Sequence, residues 1–543
     1  MDSRSAPPLL PRPRRYEPEQ GGLSLQSRHV SILSTEPEFE RTAQRIRADL
    51  RRELHLEATL RETTGKPGGA SIVLRKDPSQ PAQGYRLHIT RRQITIEAHD
   101  AAGAYYGALT LRQLVRIHRD ALPACWIEDF PDFPVRGVML DISRDKVPTM
   151  ETLFRLIEEL AEWKINRFEL YTEHSFAYRN HRAVWEHASP ITAEEARELD
   201  AFCAERFVEL VPNQNCFGHL HRWLEKEPYR HLAECPDGFM TPWGEWRPGP
   251  FSLNPLDPGS IALVEELLTE LVQNFRSSNL NVGCDETFDL GQGRSREACE
   301  ARGKGRVYLE FLTKIYAIVV RLGRRMNFWG DIVLNHPELI PELPRDVVPL
   351  VWGYEADHPF AAQCAPFAES GLNFLVCPGT SGWNSLLGRT DNALANMENA
   401  AENGLAAGAA GMLITAWGDN GHLQPYAVEL LPLAAGAARA WCLQSNRHAD
   451  LAAQLDAQVF RDDSRIYGRL AGELGTLYRL LEHPVFNASA LFRLLSQRDI
   501  STLQTAIGEP RLRAARNRLR ELRAELARTR SRRDDAELLL AEW

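Results

Sequence analysis

The sequence predicts an α/β protein built around a (β/α)8 TIM barrel. Between residues 136 and 442, short apolar runs with the composition of β-strands alternate with amphipathic helical stretches. Apolar strands separated by helices indicate a parallel sheet that is buried on both faces. Eight such units over roughly 300 residues suit a closed barrel better than an open doubly wound sheet. No G-x-G-x-x-G motif follows an early strand, which disfavours a dinucleotide-binding fold.

The predicted strands and helices of the barrel can be placed one by one. The strands lie at residues 138–142, 167–172, 208–211, 280–284, 326–329, 348–352, 374–377 and 412–416. The helical stretches between them include 150–163, 193–206, 261–275 and 307–322. We therefore assign residues 131–442 to the barrel.

The region before the barrel divides into a tail and a small domain. Residues 1–20 are rich in proline and arginine, and we expect a disordered N-terminal tail there. Residues 70–74 form a β-like run, and 84–89 and 94–98 alternate apolar and polar residues as a hairpin does. Residues 101–116 have the pattern of a helix packed closely on a sheet. We expect residues 21–130 to form an α+β accessory domain.

The region after the barrel, residues 443–543, is helical in pattern. Within it, Leu512, Leu519, Leu522 and Leu526 follow a heptad-like spacing among arginine and glutamate. Two interpretations stay open: a helix laid against the barrel, or a helix pair that joins two copies in a homodimer.

Composition and charge limit the partners and the compartment. The formal net charge of −9 argues against a nucleic-acid-binding surface. The N-terminus has no apolar core of signal-peptide length, and no stretch approaches the roughly 18 apolar residues that a membrane span needs. The nine cysteines are scattered without a C-x-x-C pair. These features predict reduced thiols and a cytoplasmic protein that does not bind a membrane.

Polar and aromatic side chains follow the predicted strands. Barrel enzymes place their working groups at the carboxyl ends of the strands, so these side chains should share one rim. Indole faces cover the apolar faces of a sugar ring, while carboxylates, amides and imidazoles bind its hydroxyls. The composition of this rim therefore predicts a sugar site. Its members are Glu173, His174, His219, Asp285, Glu286, Trp329, Asp331, Trp352, Tyr354, Trp383, Asn384, Trp417 and Asp419.

Asp285 and Glu286 stand side by side at the end of the fourth predicted strand. Two carboxylates this close should raise at least one pKa of the pair and keep a protonated acid beside an ionised neighbour. Protonation of a leaving group requires such an acid. The dipeptide alone would also fit an exposed strand end that is salt-bridged to an arginine. Its place on an aromatic rim favours the catalytic interpretation.

The segment around this pair resembles the catalytic motif of glycoside hydrolase family 20, the β-N-acetylhexosaminidases, which usually reads His-x-Gly-Gly-Asp-Glu. Here the segment is Asn281-Val282-Gly283-Cys284-Asp285-Glu286. The resemblance covers about residues 60–440. It extends to the accessory domain of that family through residues 84–87 and 101–114, to its first barrel strand through 136–141, and to its Pro-Gly-His after the third strand through 217–219.

The resemblance implies an exo-acting, retaining enzyme for terminal β-linked GlcNAc or GalNAc whose nucleophile is the substrate's own 2-acetamido group. Glu286 would be the acid and base, and Asp285 would orient the acetamide. Arg136 would hold two sugar hydroxyls with its fork of donors. The family resemblance gives supporting roles to six more residues. Trp329, Trp352 and Trp417 would enclose the sugar, Asp331 and Asp419 would accept hydroxyls, and His219 would support the acid.

Several residues depart from the family pattern. Asn281 and Cys284 replace a histidine and a glycine, and the second strand is followed by Glu173 and His174 where paired aspartates are usual. These changes are similar to the intracellular hexosaminidase branch. The tyrosine that binds the acetamide after the seventh strand has no direct match. We expect Tyr354 to substitute for it, with Trp383 and Asn384 completing that wall.

Three alternatives remain. The cysteines and histidines between residues 216 and 235 match no common zinc spacing, so we expect no metal, and no cofactor is needed. A retaining glycosidase could instead use Glu173 or Asp419 as a covalent nucleophile and act on sugars without an N-acetyl group. A sugar-binding barrel that has lost catalysis is the third alternative.

Overall fold

The computed structural model describes residues 6–25, 29–34, 36–61 and 70–543. Three parts follow one another along the chain: an N-terminal sheet with helices, a barrel, and a C-terminal group of helices. The fold class predicted from the sequence is therefore confirmed. Among the helices of these ranges, none has the length and apolar character that crossing a membrane requires.

The N-terminal part is a seven-stranded sheet against which two helices pack. The helices are α1 (Glu40–Leu54) and α2 (Ala101–His118), and the side chain of Asp100 caps α2 by accepting the N–H of Gly103. The strand order in the sheet is β1-β7-β5-β6-β4-β2-β3. Its strands are β1 (Arg15–Ser24), β2 (Val30–Ser34), β3 (Ala58–Arg61), β4 (Ala70–Lys76), β5 (Tyr85–Ile89), β6 (Gln93–Ala98) and β7 (Ala121–Asp129).

The N-terminal segment is ordered where we expected a disordered tail. Strand β1 pairs with β7 in antiparallel register, from Arg15 opposite Glu128 to Ser24 opposite Ala121. Before it, Leu9 and Leu10 are buried, and the N–H of Leu10 donates to the side chain of Gln113. Burial of these two leucines, and pairing of β1 with an edge that β7 would otherwise leave unpaired, thus outweigh the proline- and arginine-rich composition. Residues 1–5 of the expected tail lie outside the described residues.

The central part is a parallel eight-stranded barrel, and the eight predicted strands all correspond to observed ones. The strand order is β10-β9-β8-β17-β16-β15-β14-β13, and a parallel bridge between Asn213 and Asn281 brings the two ends together. The strands are β8 (Val135–Asp141), β9 (Arg167–Tyr171), β10 (Glu209–Val211), β13 (Asn279–Asn281), β14 (Arg325–Trp329), β15 (Val348–Trp352), β16 (Leu375–Cys377) and β17 (Gly411–Ala416).

Helices surround the barrel, and a short hairpin of β11 (Gly238–Met240) and β12 (Trp246–Pro248) follows β10. In the first helix, α3, residues Leu153, Leu156 and Leu160 recur at helical spacing and are buried. The helices are α3 (Met150–Glu162), α4 (Arg182–Trp185), α5 (Ala193–Ala204), α6 (His221–Leu224), α7 (Glu227–Arg230), α8 (Pro258–Val272), α9 (Arg296–Arg302), α10 (Lys304–Arg321), α11 (Asp331–Leu334), α12 (Phe360–Ser370), α13 (Thr390–Ala406) and α14 (Tyr426–Trp441).

A buried polar layer inside the barrel ties four neighbouring strands together. Glu169 accepts hydrogen bonds from the side-chain amides of Asn213 and Asn281, each at 2.9 Å. Arg167 pairs with Glu169 and donates to Asn327 at 2.6 Å. Because these groups are buried and satisfied by one another, they fix the strands on which the site stands. Asn281, which replaces the histidine of the family motif, therefore has a structural role below the site.

The C-terminal part packs its leucines against its own chain. Leu522 and Leu526 of helix α20 (Glu509–Leu526) are buried, Leu512 contacts a small apolar cluster, and only Leu519 of the four heptad-like leucines is exposed. This arrangement matches the helix packed within one chain, and a homodimer stays a prediction. The helices are α15 (Leu443–Asn446), α16 (Leu451–Gln454), α17 (Tyr467–Leu474), α18 (Ala490–Ser496), α19 (Ser501–Ile507), α20 (Glu509–Leu526) and α21 (Ala536–Glu542).

Candidate active site

A cavity of about 80 Å³ opens at the carboxyl ends of the barrel strands. Eight of its lining residues are among those predicted from the sequence: His219, Asp285, Glu286, Trp329, Trp352, Tyr354, Trp417 and Asp419. Arg144 and Asn487 also line it and were not assigned to the site from the sequence. We call this space the sugar cavity.

A tight turn after β13 presents the two central carboxylates. Gly283, Cys284 and Glu286 all have positive φ, at 66°, 70° and 50°. A side chain at Gly283 would come within 2.5 Å of Asn215, so only glycine fits there. The amide of Asn215 holds the turn from both sides, since its Oδ1 accepts the N–H of Cys284 at 3.1 Å and its Nδ2 donates to Asp285 at 2.8 Å.

His219 lies between the two carboxylates. Its Nε2 is 3.2 Å from Oδ2 of Asp285 and 3.4 Å from Oε2 of Glu286. Burial opposes protonation of His219, but the charge of Asp285 and its neighbours outweighs it and raises the histidine pKa to about 10. Burial likewise opposes the charge on Asp285, but His219 and Asn215 bring the pKa of that carboxyl below its usual range. Asp285 is therefore an anion beside a cationic imidazole.

The sequence predicted a raised carboxyl pKa within the adjacent pair; the pKa of Asp285 is lowered, and a raised one belongs to the neighbouring Asp331. Burial, followed by the charge of Asp285, raises the pKa of Asp331 to about 8. Its Oδ2 accepts the backbone N–H of Glu286 at 3.0 Å, and its side chain does not line the cavity. Asp331 therefore supports the turn that carries Glu286 from behind.

Aromatic rings form the wall of the sugar cavity. The rings of Trp329 and Trp417 lie 5.8 Å apart, and those of Trp352 and Tyr354 stack at 5.3 Å. The indole N–H of Trp417 donates to the hydroxyl of Tyr354 at 2.7 Å. Burial keeps the pKa of Tyr354 well above its usual value, so this hydroxyl retains its proton. The side chain of Thr415 is a second neighbour of this hydroxyl, which keeps one proton that it can donate.

Trp383 and Asn384 lie behind this wall and do not line the cavity. The ring of Trp383 packs edge-on against Tyr354 at 5.1 Å, and its Nε1 donates to Asn487 at 3.0 Å. The side chain of Asn384 accepts from Asn420 at 2.9 Å. Both therefore support the wall, with Asn487 of the C-terminal part in front of them.

Arg136 does not reach the site. It is the second residue of β8, so it lies at the amino-terminal end of the barrel, about 17 Å of extended chain from the end of that strand. Its guanidinium is buried and donates to the carbonyl oxygens of Lys164 and Phe133 and to Gln83 and Tyr106. The expectation that Arg136 binds sugar hydroxyls is wrong because the strand continues past it.

Arg144 takes the position that was expected for Arg136. It follows the carboxyl end of β8 and donates to Asp141 at 3.0 Å. It also lies 3.0 Å from Glu173. Its guanidinium faces the rings of Tyr171 and Trp417. Its place three residues after the strand end is the signal that could have identified it.

Glu173 and His174 lie behind the cavity. Glu173 is fully buried, accepts a hydrogen bond of 3.0 Å from the hydroxyl of Tyr171, and forms an ion pair with Arg144. Burial raises its pKa in spite of that arginine. Burial also lowers the pKa of His174 to about 4. Neither residue lines the cavity, so their contribution is to hold Arg144 and the chain around it.

Asp419 is the remaining carboxylate on the cavity wall. Burial raises its pKa to about 6, and the charge of Arg144 partly offsets that effect.

The ligand atoms of His219, Asp285 and Glu286 lie within 4.8 Å of one another, a spacing that could hold a metal ion. The high pKa of His219 opposes that use, because a metal ligand must be the neutral imidazole. The absence of a metal stays a prediction.

Comparison with known proteins matches two family models. Residues 6–130 match the model of glycosyl hydrolase family 20, domain 2, and residues 133–383 match that of the glycosyl hydrolase family 20 catalytic domain. A β-hexosaminidase of Vibrio furnissii is 29% identical over 362 residues, which are 58% of this chain and 54% of the relative. Hexosaminidase D of Bos taurus is 26% identical over 347 residues, which are 60% of this chain and 95% of that protein.

Solved structures show the same fold. The exo β-N-acetylglucosaminidase of Vibrio harveyi, solved with N-acetylglucosamine, superposes with a TM-score of 0.67 at 19% identity over 86% of this chain and 78% of that chain. The β-N-acetylhexosaminidase of Streptomyces coelicolor gives a TM-score of 0.64 at 20% identity over 83% and 96%. The chain spans about half the length of the Vibrio furnissii relative, at 54%. Two successive family models and these folds together show that the chain belongs to glycoside hydrolase family 20.

Proposed function

We propose that the chain is an exo-acting β-N-acetylhexosaminidase that removes terminal β-linked GlcNAc or GalNAc with retention of configuration. The observation that carries the proposal is the arrangement of Asp285, held as an anion by His219, directly beside Glu286 on the floor of a small aromatic cavity. The indoles that line this cavity can cover the apolar face of one terminal sugar. The related β-hexosaminidases named above support the same activity.

The mechanism uses the substrate's acetamide as the nucleophile. Glu286 donates its proton to the glycosidic oxygen as the bond from that oxygen to the anomeric carbon breaks. The carbonyl oxygen of the acetamide forms a new bond to the anomeric carbon, and the positive charge that develops on the nitrogen is stabilised by the Asp285 carboxylate. Water then gives a proton to Glu286 and attacks the anomeric carbon. This attack breaks the bond between that carbon and the acetamide oxygen, which opens the ring formed in the first step and restores the acetamide.

Tyr354 is the proposed partner of the acetamide oxygen. Its hydroxyl accepts from Trp417, so its own proton is available to an acceptor in the cavity. A donor at this point holds the carbonyl oxygen in line for attack on the anomeric carbon. Trp329, Trp352 and Trp417 would enclose the sugar and its methyl group.

Arg144 and Asp419 are the proposed partners of the sugar hydroxyls. Arg144 offers the donors that were expected of Arg136, and Asp419, which also lines the cavity, offers an acceptor. His219 acts as a positioning residue, because it keeps Asp285 ionised without needing to touch the substrate.

The retaining glycosidase with a protein nucleophile is the second candidate, and Asp419 is the carboxylate that favours it, since it lines the cavity while Glu173 is buried behind Arg144. The test compares p-nitrophenyl β-N-acetylglucosaminide and β-N-acetylgalactosaminide with p-nitrophenyl β-glucoside and β-galactoside. We expect hydrolysis of the N-acetyl substrates alone. Equal rates on the glycosides without acetamide would favour the second candidate, and no hydrolysis of any would favour a binding protein.

The compartment and the assembly are also proposals. All nine cysteines are free and buried, which supports a reducing compartment such as the cytoplasm and agrees with the intracellular branch of the family.

The expected partner is a small glycan or glycoconjugate. Size measurement in solution would test the homodimer, for which the described residues of α20 leave little leucine surface.

A further inference from the structure

A second and larger cavity, of about 860 Å³, adjoins the sugar cavity. The two cavities share Glu286, Trp352, Tyr354 and Asn487 in their linings. Glu286 therefore faces both spaces. In the proposed function this side chain protonates the glycosidic oxygen, so the group on the far side of that oxygen has to lie on the second side of Glu286.

One wall of the second cavity comes from the C-terminal part of the chain. We call residues 484–487, which line it, the C-terminal loop. The loop is fixed to the barrel, because the N–H of Asn487 donates to Glu355 at 2.8 Å and the side chain of Asn487 accepts from Trp383 at 3.0 Å. Glu355 is itself held by two hydrogen bonds of 3.0 Å from Arg389. These contacts set the position of the loop before any ligand binds.

Phe486 lies on this loop with its side chain in water. At 84% it has the highest exposed fraction among the large hydrophobic side chains of the described residues. An aromatic ring on a fixed loop beside an acid offers a flat apolar surface at little entropic cost. A sugar ring presents a matching apolar face of C–H groups.

The charges on the second cavity favour a neutral occupant. Glu355 and Asp357 contribute carboxylates to its lining, and Arg389 is paired with Glu355, whereas Glu286 carries its proton in the proposed function. Asp357 is exposed to solvent and has no such partner among the ion pairs of the described residues. An anionic group placed among these carboxylates would be repelled, whereas a neutral sugar would find acceptors for its hydroxyls.

We propose that the second cavity is the leaving-group subsite, that it takes a neutral sugar residue, and that Phe486 determines its specificity by stacking on that residue. This inference rests on the proposed function, because it needs a glycosidic bond at Glu286. It adds that residues of the C-terminal helical part, not only of the barrel, select the substrate.

The experiment measures kcat/KM for N,N'-diacetylchitobiose and for methyl N-acetyl-β-glucosaminide, whose leaving group is too small to reach the loop. The ratio of the two values isolates the contribution of the leaving-group sugar. We expect Phe486→Ala to lower this ratio by about ten-fold, the effect of one lost stacking surface. Phe486→Tyr, which keeps the ring, should retain the ratio of the wild type.

Trp243→Ala is the matched control. Trp243 is also a largely exposed aromatic residue, at 63%, and it packs against Phe288, two residues from Glu286, but it lines neither cavity. We expect it to leave the ratio unchanged. A Phe486→Ala ratio within two-fold of the wild type, or a Trp243→Ala ratio that falls as far, would overturn the inference. If the wild type cleaves neither substrate, the proposed function itself fails.

The preference of this subsite for a neutral sugar can be tested separately. Chitobiose that carries a sulfate on its reducing sugar should be cleaved more slowly than neutral chitobiose, and Asp357→Asn should reduce that difference. Preference of the wild type for the sulfated substrate would overturn the assignment of a neutral sugar to this subsite.

Discussion

Replacement of Tyr354 by phenylalanine tests the assignment of the acetamide pocket. The substitution removes one oxygen and keeps the ring that stacks on Trp352 at 5.3 Å. Two interactions are lost. The indole N–H of Trp417 loses its acceptor at 2.7 Å, and the acetamide oxygen loses its proposed donor.

The two losses differ in size and in where they appear. A buried donor without a partner costs about 1–3 kcal/mol, and this cost lowers the free energy of unfolding. A donor aimed at the group whose charge changes in the transition state contributes about 2.7–4 kcal/mol to kcat, or about 10²–10³-fold. We therefore expect Tyr354→Phe to lower Tm by a few degrees and kcat on p-nitrophenyl N-acetylglucosaminide by about 10²-fold.

The assay compares kcat/KM and the affinity of a thiazoline inhibitor that imitates the cyclised acetamide. Both should fall by similar factors, since the ring of the inhibitor takes the place of the acetamide in the pocket. Tyr426→Phe is the control, because the Tyr426 hydroxyl donates to Glu159 at 3.1 Å and does not line the sugar cavity. A Tyr354→Phe variant with wild-type kcat and inhibitor affinity would refute the assignment.

Three further predictions concern the charged residues. Glu286→Gln should lower kcat by about 10²–10⁴-fold on chitobiose and by less on p-nitrophenyl glycosides, whose leaving group needs little protonation. Equal losses of kcat on the two kinds of substrate would contradict the role of Glu286 as a general acid. His219→Gln should lower Tm most near pH 6 and progressively less as the pH rises toward 10. The pKa of His219 is raised to about 10 in the folded state, so its ion pair stabilises the fold fully below the pKa of the unfolded state and no longer does so above the pKa of the folded state. A Tm difference independent of pH would contradict the ion pair with Asp285. Arg144→Ala should lower kcat/KM while the protein stays folded. Arg136→Ala should instead lower the free energy of unfolding, by about 1–3 kcal/mol for each buried acceptor that it leaves unpaired. The reverse pattern, measured by kinetics and denaturant titration, would restore Arg136 to the site.

Much of the fold could be predicted because its signal is local. The strands of the barrel are buried on both faces, so each is an apolar run that can be read without knowledge of its neighbours. The carboxyl ends of parallel strands meet at one rim, and that rule alone brought Glu286, Trp329 and Trp417 together. The adjacent pair was recognisable from its position, but the protonation of Asp285 depends on His219, 66 residues earlier in the chain.

The errors have physical reasons of the same kind. The N-terminal segment is ordered by pairing with β7, a partner about 100 residues away, which composition does not reveal. Arg136 and Arg144 both flank the first strand, and which of them reaches the rim depends on where the strand ends. Asn487 reaches the sugar cavity only because the C-terminal part folds back over the barrel. No local pattern carries that information.

The central claim is that the substrate's acetamide carries out the attack beside Asp285. It is tested most directly with p-nitrophenyl glucosaminides whose N-acetyl group carries none, one, two or three fluorine atoms. Fluorine withdraws electrons from the carbonyl oxygen and weakens it as a nucleophile, so kcat/KM should fall steeply with each added atom. A rate that does not change along the series would show that a protein carboxylate, such as Asp419, attacks instead.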